Sequence, residues 1–437
     1  MLHNNPIDRH APIPPQLFIN NRKKLTQKLL PNSLVVIHAN DIFPTGADGI
    51  MPFRQHTDLF YLSGINQEET ILLLYPEATE QAHKEILFIK KTTPEIAVWE
   101  GQKYTKSQAQ ASTGITHIHW LEKFPTLFHA LMRKADHLYL YTDEHTNHDM
   151  HVQTRNKRFV HWCKTHYPLH SYKRLAPLMQ DLRMIKSQIE IDLIRKAYTI
   201  TEKGFRQMIP LLKPGIMEYQ LEASLIKTFT EEASLGFAYT PIIASGANSC
   251  ILHYIANNQA CKAGDLVLLD IGALYGNYHA DLTRVLPVSG QFTPRQKKVY
   301  QAVLHVFKHA KKLLVPGNNF TTYTKEIGEI MTKELLDLGL LTKQEVKDQD
   351  PLQPAYKKYF MHGTSHHLGL STHDVADKSK PFAPGMVLTI EPGIYLPEEG
   401  FGIRLENGVV IRENRVEDLV PNLPLEPEAI ESLMHKK

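Results

Sequence analysis

Residues 265–287, DLVLLDIGALYGNYHADLTRVLP, set two apolar, strand-like runs on either side of a Gly276-Asn277 turn signal. Such a pattern folds as an antiparallel hairpin, and the alternation of side chains then decides what faces what. A two-residue turn at Tyr275 and Gly276 sets Asp270 directly opposite Asp281, with Cβ atoms ~5 Å apart. Two carboxylates facing each other among apolar neighbours repel and lose hydration. A cation between them removes both costs. A solvated face, or a helix cap for one of the pair, is the plainer alternative.

Three further stretches carry groups that need partners. MHGTSHHLGLSTHD at 361–374 brings together His362, His366 and His373, with His367 beside them. Gly363 and Gly369 favour a loop or irregular strand there. The stretch is not HExxH, because the general-base glutamate is missing. Glu391 ends an apolar run just before Pro392-Gly393, and an acid at the end of a buried strand requires a partner. In GFGIRLE at 400–406, period-two alternation puts Arg404 and Glu406 on one strand face; an ordinary ion pair is the competing reading. Together Asp270, Asp281, Glu391 and Glu406 supply four negative charges, and His366 or His362 an imidazole. That set balances two divalent cations. Oxygen-rich ligation with one nitrogen and no thiolate suits Mn²⁺, Co²⁺, Fe²⁺ or Zn²⁺. Two such ions ~3.5–4 Å apart acidify a shared water and clamp both oxygens of a tetrahedral intermediate, which is hydrolase chemistry.

The 437 residues exceed a single core, and at ~150 residues per domain two or three domains are expected. Hydrophobic residues at 42% and charged residues at 22% exclude a mainly disordered chain. Lys+Arg at 49 against Asp+Glu at 46 demands neither a nucleic acid nor an anionic membrane. No apolar run reaches the ~18 residues of a membrane span. Residues 1–16 lack a stretch of signal-peptide length, and Cys163, Cys250 and Cys261 have no CxxC spacing. A reduced, cytoplasmic protein is the expectation.

Apolar runs at 34–38, 71–75, 85–90 and 137–141 read as strands, as does 58–62. Interleaved with polar helical stretches, they predict an α/β N-terminal domain. The segment 171–177 marks the seam, giving domains 1–174 and 175–437. Beyond it, Ser187 and Glu190 form a capping-box pattern. Further helices are expected over 218–233, 296–314 and within 321–338, with strand-rich stretches at 265–288 and 386–412. The C-terminal domain is thus predicted as α+β, with helices around a largely antiparallel sheet.

The ordered set HY at 253–254, LLDIGALYGNYHADLTR, HGTSHHLGLSTHDV, TIEPGIY and GIRLEN resembles the pita-bread (creatinase/aminopeptidase-like) metallopeptidases. Within them it is most similar to the aminopeptidase P group, with prolidase as close kin. The likeness spans 175–430, and RQHTDLFYLSG at 54–64 extends a weaker one into the N-terminal domain. The resemblance implies that Asp270 and Asp281 ligate one metal, with Asp281 bridging to a second. His366 and Glu391 complete the second, and Glu406 bridges both. His253, His362 and His373 match histidines that contact substrate and stabilise the oxyanion, and Arg404 an arginine that orients the carboxylates. The implied reaction hydrolyses the bond between an N-terminal residue and a following proline. A metal-bridging hydroxide attacks, His373 donates toward the oxyanion, Glu391 passes a proton to the departing nitrogen, and His362 walls the pyrrolidine ring.

Mn²⁺ is the first expectation among the candidate metals. The N-terminal domain is expected to cover a neighbour's active site or to build a homodimer or homotetramer, with no nucleic acid or membrane partner. A prolidase restricted to dipeptides uses the same ligands, and a creatinase-like C–N hydrolase shares the fold; a non-catalytic binding module would lack one or more of the ligands. Trp99 lies where relatives carry an aromatic that approaches a partner's pocket, and a half-exposed hairpin tryptophan explains it equally. EHTNHDMH at 144–151 reads as a solvated surface helix, His117 and His119 as ordinary strand exposure, and the lysine pairs at 297–298 and 311–312 as a solvated helix face.

Overall fold

The computed structural model describes residues 9–142, 144 and 152–435. The histidine-rich stretch 144–151 therefore lies, Glu144 apart, outside the described residues. The chain divides into two compact units, Met1–Arg183 and Met184–Lys437. No helix among the described residues is long and apolar enough to cross a membrane.

In the first unit six strands make one mixed sheet, in the spatial order His117–Trp120, Glu85–Ile89, Ile71–Leu74, Ser33–His38, His137–Leu140 and Ser171–Arg174. Ser33–His38 pairs antiparallel with Ile71–Leu74 and parallel with His137–Leu140. These central strands are buried at every residue of Ser33–His38 and Ile71–Leu74. Strands covered on both faces read as unbroken apolar runs, which is why they are legible in the sequence. Leu34, Val36, Leu73, Phe88, Phe124 and Phe128 form their core.

Two expectations fail here. Residues 58–62 lie in a helix, Thr57–Ser63, whose first turn is capped by the His56 ring and whose end is Gly64 at φ 71°. All of 58–63 is buried, so no polar face reveals the helical period, and a short apolar run cannot by itself separate helix from strand. Trp99 ends a helix, Pro94–Trp99, capped by Thr93, rather than sitting in a hairpin. It is 82% exposed in the described chain.

The boundary also moves. Ser171–Arg174 is an edge strand of the sheet rather than a linker. The following helix Ala176–Met184 carries Arg183, whose buried guanidinium donates 2.7 Å bonds to Thr57 Oγ1 and Asp58 Oδ1. That buried pair keeps the chain with the first unit up to Arg183, nine residues beyond the predicted seam at 174.

The second unit opens with helix Gln188–Met208, where Ser187 and Glu190 form the reciprocal cap. Helices Glu218–Glu231, Pro294–Leu313 and Phe320–Asp337 follow. Its strand pairs are all antiparallel among the described residues. Leu266–Ile271 runs between Ile242–Ser245 and Leu282–Pro287. Val387–Ile390 pairs with Asn407–Ile411, and Gly393–Leu396 with Phe401–Arg404.

The hairpin that opened the sequence reading forms with a shifted register. Gly276 and Asn277 take the turn, at φ 54° and 62°, as a primed two-residue turn requires. Tyr275 then pairs with Tyr278, and Asp270 with Thr283 rather than Asp281. The shift is two residues, and side chains alternate with period two, so Asp281 stays on the face of Asp270 as its diagonal neighbour. Gly272 makes the crossing possible: a Cβ there would lie 2.0 Å from the Ala280 carbonyl oxygen.

Candidate metal centre

Strand ends and turns of the second unit deliver the acids. Asp270 stands near the end of Leu266–Ile271, Asp281 just before Leu282–Pro287, Glu391 just after Val387–Ile390, and Glu406 between Phe401–Arg404 and Asn407–Ile411. His366 is laid beside them by backbone bonds: Thr389 N donates to His366 O at 2.9 Å and Glu391 N to Thr364 O at 2.8 Å. The histidine's own N–H donates to Thr389 Oγ1 at 3.1 Å.

Asp281, His366 and Glu406, all buried, bring donor atoms within 4.8 Å of one another. His366 Nε2 lies 3.3 Å from Asp281 Oδ2 and 3.5 Å from Glu391 Oε1. Its Nδ1 is 3.0 Å from the His367 carbonyl. A carbonyl can only accept, so Nδ1 keeps its proton and Nε2, turned toward the acids, is the nitrogen that sheds a proton when a metal binds. Tyr239 OH sits 2.5 Å from Asp270 Oδ1 and 2.7 Å from Asp281 Oδ1. One hydroxyl carries one proton, so it satisfies one carboxylate at a time.

Arg404 organises the opposite side. Its Nη2 pairs with Asp270 Oδ2 at 2.5 Å, its Nε donates to Thr283 Oγ1 at 3.1 Å, and its Nη1 to Tyr395 OH at 2.8 Å. Thr283 Oγ1 in turn donates to Glu406 Oε2 at 2.7 Å. Tyr395 OH meets His362 Nε2 at 2.7 Å, while His362 Nδ1 faces the Gly363 carbonyl at 2.8 Å. Burial, and then the charge of Arg404, hold the His362 ring at about 3, so it stays neutral and takes the tyrosine proton at Nε2. The planar fork of arginine suits this three-way duty. Arg404→Lys retains the charge but cannot reach Asp270, Thr283 and Tyr395 together; metal affinity and kcat are expected to fall together by about 10–100-fold. Metal titration beside steady-state kinetics checks this, and a kcat loss with intact metal affinity would contradict it.

The acids are left short of partners. Glu406 Oε1 is buried with no hydrogen bond. Burial, then Asp281, Glu391 and Asp270, push the Glu406 carboxyl far above the usual range. Burial likewise lifts Asp270, against the pull of Arg404. Glu391 is raised by burial to about 7 even with His366 beside it. His366 is opposed by burial, yet Asp281 and Glu391 lift its ring to about 9. An orphaned buried carboxylate oxygen, four acids, one correctly turned imidazole and no thiolate fit divalent ions with a preference for oxygen.

The pH consequence has a definite sign in metal-free protein. Glu391 rises from 4.5 to about 7, and His366 from 6.5 to about 9. The folded chain therefore holds protons that the unfolded chain releases, and stability is lost as pH rises through that window. Buried His38, His362 and His367, each lowered to about 3, act in the opposite sense, so chelated protein is compared with chelated Glu391→Gln. The wild type is expected to lose more melting temperature between pH ~6 and pH ~8, and an equal change in both would refute the Glu391 shift.

The remaining predicted residues fall around this cluster. His373 stacks on His366 with ring centroids 4.0 Å apart and planes at 9°. His253 is exposed, and its charge helps depress His362. Sequence reasoning missed Tyr239, Thr283, Thr389 and Tyr395 as site residues. Thr283, Thr389 and Tyr395 lie inside quoted motifs, whereas Tyr239 sits in FAYTP at 237–241 with no titratable companion.

The family model "Metallopeptidase family M24" matches residues 192–413, and "Aminopeptidase P, N-terminal domain" matches residues 18–141. The chain is 32% identical to the Xaa-Pro aminopeptidase of Haemophilus influenzae, over 97% of this chain and 98% of that protein. The Xaa-Pro aminopeptidase of Escherichia coli is also 32% identical, over 96% and 97%. Aminopeptidase P of Escherichia coli, solved with substrate, superposes with a TM-score of 0.87 at 30% identity, covering 97% of this chain and 99% of that one. Pseudomonas aeruginosa aminopeptidase PepP gives 0.88 at 29% identity, covering 97% and 98%. The chain belongs to metallopeptidase family M24, as an enzyme of its aminopeptidase P branch with both the N-terminal and the pita-bread domain of that group.

Proposed function

We propose that this enzyme removes the N-terminal residue from peptides with proline second, using two divalent ions held by Asp270, Asp281, His366, Glu391 and Glu406. The observation that carries the reading is Glu406 Oε1, buried and unbonded amid three other acids and the His366 ring. The relatives named Xaa-Pro aminopeptidase, aligned over nearly the whole chain, support the substrate class. When bound, the ions supply a Lewis acid for the scissile carbonyl and acidify water at neutral pH.

The protein's own groups do the rest. Glu391, raised toward neutrality by burial, suits a carboxyl that takes a proton and returns it to the departing proline nitrogen. His373, parallel to His366, donates toward the oxyanion. Neutral His362, fixed by Tyr395 and the Gly363 carbonyl, offers an apolar ring face to the pyrrolidine. Arg404 holds Asp270 in place, and His253 contacts substrate at the mouth. Mn²⁺ is the metal we favour. The N-terminal domain assists as an oligomerisation and covering element, in a cytoplasmic homodimer or homotetramer.

The deciding experiment incubates metal-free protein with Mn²⁺, Co²⁺ or Zn²⁺ and the substrates Xaa-Pro and Xaa-Pro-Yaa-Zaa. Metal-dependent release of the first residue from the longer peptide, lost in Asp270→Asn, is expected. Cleavage of the dipeptide alone would transfer the assignment to prolidase, and no cleavage despite metal binding would end the peptidase reading.

A further inference from the structure

The loop at 246–258 carries His253, yet it has little apolar packing to hold it. Ile251 and Ile255 are exposed, and among residues 251–259 only Tyr254 and Asn257 are buried. Those two side chains are the ones tied to helix Glu218–Glu231. Tyr254 OH donates to Glu218 Oε2 at 2.8 Å, and Asn257 Nδ2 to Glu222 Oε2 at 3.0 Å. Glu218 and Glu222 are four residues apart and so share a helix face.

Glu218 is fully buried and grips both ends of the loop. On the entry side its Oε1 accepts Ser245 N at 2.7 Å and Ser245 Oγ at 2.6 Å. On the exit side its Oε2 accepts Tyr254 OH and, at 2.9 Å, Gln259 N. Four donors fill the lone-pair capacity of a carboxylate, and charge-assisted bonds of this kind are the strong ones. Asn257 adds a second tie, accepting Ile243 N and donating to the Pro241 carbonyl, both at 3.0 Å. The loop's first turn is pinned toward the metal-side strand, where Ser249 Oγ accepts Gly402 N at 2.7 Å.

We propose that Glu218, acting through Tyr254, is a positioning residue for substrate binding: it clasps the loop so that His253 is presented at a fixed place. The proposal rests on the reading of His253 as a substrate contact. Neither Glu218 nor Tyr254 belongs to the metal set, so their removal acts on binding rather than on the chemical step. Tyr254→Phe deletes one hydroxyl and keeps the ring. Glu218→Gln puts an N–H₂ where backbone donors need an acceptor.

The test measures KM, kcat and metal content with an Xaa-Pro-Yaa-Zaa peptide for Tyr254→Phe, Glu218→Gln, His253→Ala and the Tyr254→Phe/His253→Ala double variant. Loss of one bond to a buried charge is expected to raise KM about tenfold in Tyr254→Phe, with kcat and metal content unchanged. The double variant is expected to match His253→Ala alone, because both changes remove the same interaction. A fall in kcat or metal content at unchanged KM overturns the proposal, and so do effects that multiply in the double variant. An unchanged KM in His253→Ala overturns the His253 assignment itself, and the clasp's role with it. Should Glu218→Gln fail to fold, Tyr254→Phe decides alone.

Discussion

Glu406→Gln is expected to abolish turnover while raising the melting temperature of the metal-free protein. The carboxylate's Oε2 accepts from Thr283, and its Oε1 has no partner. Glutamine can keep the first bond through its carbonyl and turn its N–H₂ toward the neighbouring acids. The change replaces a carboxyl that burial, Asp281, Glu391 and Asp270 force to hold a proton with a group that is neutral at every pH. Relief of a buried unsatisfied group is worth about 1–3 kcal/mol. The same change deletes a proposed ligand, so the activity loss should exceed the roughly 100-fold that follows from disturbing residues behind the ligands. Calorimetry with and without chelator, beside kinetics, checks both halves. A lower melting temperature in the chelated variant would mean that the acids do not repel, and the argument for ions would lose its base.

Lys186→Met should be the most damaging change away from the acids. Lys186 Nζ lies 3.0 Å from Asp374 Oδ2, with both side chains 1% exposed. Asp374 closes the turn that bears the histidines, its N–H donating to the His367 carbonyl at 2.8 Å. Gly369 leaves the room: a Cβ there would meet Asp374 Oδ2 at 2.3 Å. Methionine fills most of the lysine's volume and takes the ammonium away from the buried carboxylate, a loss of about 3–5 kcal/mol in denaturant unfolding. Adding Asp374→Leu should recover much of that stability, since an apolar pair replaces a buried ion pair at little cost. If Lys186→Met alone costs under about 1 kcal/mol, the pair is not what holds the turn.

The acids and histidines of the candidate site were legible in the sequence, and the reason is chemical. Asp270, Asp281, Glu391 and Glu406 stand out because acids seldom end apolar runs, and the histidines at 362–373 because they crowd among glycines. The hairpin register was misplaced by two residues without harm, because an even slip preserves the face. Residues 58–62 misled because a fully buried helix shows no period, and the seam because Arg183 is recruited by Asp58 far upstream. Tyr239 left no trace, since its role exists only where Asp270 and Asp281 converge. Where the two motifs of the metal side meet depends on Thr283 and Arg404 crossing between strands, which spacing along the chain does not encode.

Four acids drawn from residues 270 to 406 cannot be neighbours in an unfolded chain, so ions that balance them bind the native form alone. Each tenfold rise in free ion above the dissociation constant then adds about 1.4 kcal/mol per bound ion to the folded state. Proteases in the cell act on the opened chain. The lifetime of this protein should therefore follow the supply of divalent ion, rising in replete cells and shortening in starved ones.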